Sequence, residues 1–90
     1  MERDTRRSAA ALHYSHGTPG APTLVAKGEG FIAEKILATA QQHGIPIHHD
    51  PALVGALSRL DLGEQIPTEL FSAVATVIAF IYRLKQQESR

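Results

Sequence analysis

Six residues in the first half of this 90-residue chain have the types and spacing for phosphate chemistry. Gly28-Glu29-Gly30-Phe31-Ile32-Ala33 fits G-x-G-x-x-G/A, and Asp50 follows about twenty residues later, as in a dinucleotide fingerprint. In such a site the glycines let the backbone approach a pyrophosphate seated on a helix N-terminus, and the acid binds the ribose. Three features oppose that reading. The chain is too short for the paired half that completes such a site, and Glu29 would put a negative charge beside the phosphates. Asp50 also stands directly before Pro51, where a helix N-cap belongs. A sharp turn between strand and helix is the simpler account.

The five histidines are the other candidates for chemistry. His48 and His49 are adjacent, so on a strand they face opposite sides and do not converge on one metal ion. His13-x-x-His16 sits at a strand end with no carboxylate at helical spacing. A site assembled from distant histidines stays open on sequence grounds. Ser8, Ser15, Ser58 and Ser72 lie in no elbow or triad context, and there is no cysteine. Asp50, Asp61, Glu64 and Glu69 read as cap, turn and first-turn carboxylates. The residues therefore point away from an enzyme and call for no cofactor. A small nucleotide- or metal-binding domain, using the Gly28–Gly30 turn or the histidines, is the alternative to an interaction domain.

The elements that must position these residues follow from periodicity. Ser8 to Tyr14 reads as a strand, and Ser15 to Pro22, with two glycines and two prolines, as a loop. Leu24-Val25-Ala26 is a second strand, antiparallel to the first across that loop. From Phe31 to His43 the apolar residues Ile32, Ile36, Leu37 and Ala40 take helical spacing. Gly44 and Pro46 end that helix, and Ile45-Pro46-Ile47 is expected as a third strand, completing a right-handed βαβ crossover. Asp50-Pro51 opens a short helix on Leu53, Val54, Leu57 and Leu60, which Asp61-Leu62-Gly63 breaks. Ile66-Pro67 then opens the longest helix. Its broad stripe of Leu70, Phe71, Val74, Val77, Ile78, Ile81 and Leu84 should be well buried. The expected fold is α/β (α+β): a small mixed three-stranded sheet in the order β-β-α-β-α-α, packed with helices.

Composition limits the function classes. Nine basic and nine acidic side chains cancel, which removes the whole-chain electrostatic footprint of a nucleic-acid or anionic-lipid binder. An apolar fraction of 43% suits a packed globule. The charged N-terminus, Met1 to Arg7, is followed by no apolar stretch of a signal peptide, and Leu70 to Tyr82 is too short to span a membrane. A cytoplasmic chain without membrane insertion is expected. Its organisation is a disordered tail over 1–7, one domain over 8–85 and a frayed end over 86–90.

Longer stretches carry a resemblance. AALHY (10–14), AP followed by LVAKG (21–28), GIPIHHDPALVGAL (44–57), LGEQIP (62–67) and ELFSAVATVIAFIYRLK (69–85) keep their order and spacing over almost the whole chain. In this the chain resembles the cytoplasmic C-terminal domain of the FlhB/YscU/EscU/SpaS family of type III secretion export switch proteins. The resemblance implies a non-enzymatic interaction domain of the flagellar or injectisome export apparatus, at the cytoplasmic face of the export gate. Its partners would be gate proteins and export substrates.

In that family an Asn-Pro-Thr-His motif precedes the first strand. Its asparagine cyclises and cuts the chain, an event linked to the switch from rod and hook to filament substrates. The motif positions fall here on Asp4, Thr5, Arg6 and Arg7, none of which matches. The resemblance thus implies a stand-alone paralogue of the post-cleavage fragment that does not cut itself. A family strand upstream of the cut is missing too, so the upstream half of a full-length relative becomes an expected partner for the first strand's edge. The family's substrate-docking patch, an apolar pocket, maps to Ala21, Pro22, Ala75 and Ile78. Helix core for Ala75 and Ile78, and a strand start for Pro22, is the competing account.

Overall fold

An alanine-rich run and a run with β-branched Thr23 and Val25, joined by a glycine- and proline-rich loop, form an antiparallel hairpin. The computed structural model describes residues 7–15 and 20–88, with side chains described as far as Leu84. Strand β1 is Ser8–His13 and β2 is Thr23–Glu29. They pair from Ser8↔Glu29 to His13↔Thr23, with a shift of register between Ala11 and Leu12. Ala11 faces Ala26 and Leu12 faces Leu24, which makes Val25 the extra residue of a β-bulge. The bulge matters to the core. It turns Leu24 to the same face as Lys27, beside Leu12, and Leu24 is fully buried there while Val25 stays exposed.

Helices cover both faces of the hairpin. Helix α1 (Phe31–Gln42) lies over the face of Ala9 and Gly28. A Cβ on Gly28 would stand 2.2 Å from Ile32 Cγ2, so helix and strand approach too closely there for any side chain. Gly30 makes the corner between them. Its φ of 58° and ψ of −120° belong to a glycine conformation, and its amide donates to Arg7 O at 2.7 Å, extending the hairpin by a pair. On the other face Ala10 and Leu12 pack against Leu57, Ile66 and Val74, contributed by helix α2 (Pro51–Leu57), a loop, and helix α3 (Phe71–Glu88). Asp50 caps α2 as its sequence requires: Leu53 N donates to Asp50 Oδ1 at 3.1 Å. At the other end of α2, Lys27 reaches across from β2 and donates to Ser58 O (3.0 Å) and Leu60 O (2.6 Å). A cation thus sits on carbonyls at the C-cap of α2 and in the turn just beyond it.

Three expectations need correction. Ile45-Pro46-Ile47 forms no strand; the segment is irregular and exposed. The far edge of β2 is already taken: Leu24 N donates to Glu64 O (3.0 Å), Gly63 N to Leu24 O (2.7 Å) and Ile66 N to Pro22 O (2.9 Å). Pro46 has no amide to offer, and Ile45 N still turns back to Ala40 O at the end of α1. The sheet of the described residues therefore has two strands, in a mixed helix-and-strand domain. Second, Ile32 is not an inward residue of α1. Ala33 is fully buried, and the inner stripe runs Ala33, Ile36, Leu37, Ala40, one residue out of phase at its start. Third, α3 is not deeply buried: of its stripe only Val74 is, while Val77, Ile78 and Ile81 are half-buried and Phe71 and Leu84 exposed. Its entry is a 3-10 turn, Thr68–Leu70, after Pro67.

Candidate functional site

The half-exposed face of α3 forms one wall of an apolar groove. Residues 63–66, zippered to 22–24, hold Ile66 (2% exposed) as its floor beside Val74. The opposite wall is the entry to β2: Gly20, whose φ of 117° reverses the chain, then Ala21 and Pro22. Tyr14, just past β1, and Gln65 complete that side. From α3 come Phe71, Ala75, Ile78, Ala79 and Tyr82. The volume is ≈ 740 Å³, and among the described residues no charged one lines it. The three aromatic rings remain 41–47% exposed. Such a surface excludes charged ligands by desolvation and rewards burial of aliphatic or aromatic side chains.

Ala21, Pro22, Ala75 and Ile78 thus lie on one groove, although they come from elements more than fifty residues apart in sequence. Ile78 serves two surfaces, since it also packs against the Leu57–Ile66–Val74 core. Ala75 is exposed, so it is no core residue. Phe71 and Tyr82 join these residues in the groove without having been expected there. The signal was present: 71, 75, 78 and 82 recur at i, i+4, i+7 and i+11, one face of a helix distinct from the Val74–Val77–Ile81 face. Reading both faces as a single broad stripe hid the groove.

The other candidates for chemistry are dispersed. Asp4, Thr5 and Arg6 of the motif positions, and His16, lie outside the described residues; Arg7 is exposed and pairs through its carbonyl with the Gly30 amide. That bond commits a donor which a phosphate at the Gly28–Gly30 turn would need. Phe31 at the helix start is 85% exposed, and Asp50 is spent on the α2 cap. His13, His43, His48 and His49 are exposed, and among the described residues no three His, Cys, Asp or Glu side chains cluster as metal ligands. His48 instead stacks edge-on against Phe80, with ring centroids 6.0 Å apart, which ties the irregular segment to α3. Among the described residues no helix is long and apolar enough to cross a membrane.

Known proteins are similar to this chain in sequence and fold. Residues 5–81 match the model of the FlhB HrpN YscU SpaS family. YlqH of Bacillus subtilis is 38% identical over 85 residues, covering 94% of this chain and 91% of its own length. The flagellar biosynthetic protein FlhB of Salmonella typhimurium is 40% identical over 79 residues, 87% of this chain but 21% of that protein. The chain therefore spans about a fifth of such full-length relatives. Among solved structures, the cytoplasmic domain of FlhB from Shewanella putrefaciens superposes with a TM-score of 0.86 at 36% identity, over 92% of this chain and 65% of that one. The PscU C-terminal domain superposes at 0.78 and 26% identity, over 83% of this chain and 96% of its own.

Proposed function

This chain belongs to the FlhB HrpN YscU SpaS family, and from that premise we propose that it is a non-enzymatic docking domain of the type III export apparatus, binding apolar segments of export substrates in the groove of Ala21, Pro22, Ala75 and Ile78. One observation carries the reading. Four residues singled out from distant parts of the chain line the same uncharged groove, whose rings stay half-exposed. A groove of this kind gains free energy from each apolar side chain it covers, about 25 cal/mol per Å². The domain works at the cytoplasmic face of the export gate, among the gate proteins, and spans residues 8–85. Asp4, Thr5, Arg6 and Arg7 replace the cleavage motif, so it does not cut itself.

A second partner follows from β1. Ser8–His13 carries no proline and no acid or lysine, and among the described strands it pairs with β2 alone. An edge of that composition is open to strand addition. Its occupant in this reading is the upstream half of a full-length export switch protein, which a pull-down would retain.

Calorimetric titration with a purified rod or hook export substrate tests the docking reading. Ala75→Asp puts a charge into the groove at an exposed helix position, so the fold, followed by circular dichroism, should persist while affinity drops at least about tenfold, the effect of ~1.4 kcal/mol. Unchanged affinity in an intact fold would exclude the groove.

A further inference from the structure

A second groove, of ≈ 690 Å³, runs between α2 and the turn that leads into α3. It shares only the wall between Ile66 and Phe71 with the first: those two residues face the docking groove, Pro67 and Leu70 face this one. On the α2 side it presents Ala52, Gly55 and Ala56, with open space beyond the Gly55 backbone, so a second main chain can come close. Leu60 and Leu70 are half-buried in it and leave apolar surface uncovered. Its two charges are of opposite sign. Arg59 and Glu69 both line the groove and are exposed, and among the described residues neither side chain is in a hydrogen bond or ion pair.

A face with one cation and one anion, neither paired among the described residues, and a small apolar centre is complementary to itself. In a two-fold interface residue i meets residue j of the other copy and j meets i, so a single groove supplies both halves of each pair. We propose that this groove is the surface on which two copies of the chain associate, α2 against α2, with Arg59 of each copy facing Glu69 of the other. The face is smaller than the roughly 20–30 residues a side of a standard interface, so the dimer is weak, and its rim pairs are sensitive to salt. The docking groove stays open in it, giving one particle two docking sites.

Sedimentation velocity of the full chain, from about 10 μM to about 1 mM in low salt, covers the range of weak interfaces. The weight-average mass should rise from 9.7 kDa towards twice that value. Arg59→Glu and Glu69→Arg should each weaken association at least about tenfold, because each sets like charges against each other. The double reversal R59E/E69R should restore it, which no effect on folding would do. A chain that stays monomeric at the highest concentration overturns the proposal. So does a dimer indifferent to both single reversals, which would lie elsewhere, as along the β1 edge, or one that the double reversal fails to rescue.

Discussion

Gly28→Ala is the sharpest test of how strand and helix meet. The substitution adds one methyl, but its Cβ would stand 2.2 Å from Ile32 Cγ2 and 2.7 Å from Ile32 Cβ. Carbon atoms prefer roughly 3.5–4.0 Å, so α1 and β2 must separate by more than 1 Å or Ile32 must leave its rotamer. Ile32 is β-branched with a stiff χ1, and its Cβ moves only with the backbone. Relief by rotation is therefore closed, and the cost falls at the upper end of overpacking, about 3 kcal/mol. A domain of this size then loses roughly 12–24 °C of melting temperature. Ile32→Ala removes the 2.2 Å contact but keeps the 2.7 Å one, so the double variant should recover only part of the loss. Gly55→Ala serves as the contrast: nothing lies within 4 Å of its Cβ on α2, and the change should stabilise by about 0.5–1 kcal/mol. Urea denaturation of the four proteins at low concentration measures these values. A Gly28→Ala protein within about 0.5 kcal/mol of the parent, the usual range for neutral substitutions, would refute the close approach.

Other outcomes follow from single contacts. Lys27→Met removes the ammonium from the Ser58 and Leu60 carbonyls, and should cost about 2 kcal/mol and speed hydrogen exchange in α2 before the rest of the domain. Asp50→Ala deletes the α2 cap and should cost about 1 kcal/mol in thermal unfolding. Gly30→Val forces a β-branched residue to a φ of 58°, and should cost at least about 2 kcal/mol and release the Arg7 end of β1. Ala75→Asp, at an exposed position, should leave the melting temperature nearly unchanged while weakening substrate docking at least about tenfold.

Where a residue's role is local, the sequence carried it. Asp50-Pro51 foretold a capped helix because cap and proline act within one turn, and Gly44, at φ 66°, ends α1 as its position after the last apolar residue suggested. Roles that depend on distant partners were not legible. The Val25 bulge is invisible to an alternation pattern, yet it decides that Leu24 and Lys27 share a face. Ile45–Ile47 has the composition of a strand, but the edge it would join is held by residues 63–66, a pairing that no periodicity announces. Lys27 finds its partners, the Ser58 and Leu60 carbonyls, more than thirty residues away in sequence. Ala21, Pro22, Ala75 and Ile78 came from family resemblance; spacing alone would have left Ala75 and Ile78 as helix core, whereas the exposed Ala75 and the groove-lining Ile78 have surface to offer.

The place where a substrate binds decides the function of this domain. Two-dimensional NMR of the labelled chain, titrated with a rod or hook substrate, reads that location directly. The largest shifts should fall on Tyr14, Ala21, Ala75, Ile78 and Tyr82 around the groove, with the Gly28–Gly30 corner and the four described histidines unmoved. Shifts centred on the corner or the histidines, with the groove silent, would contradict docking in the groove.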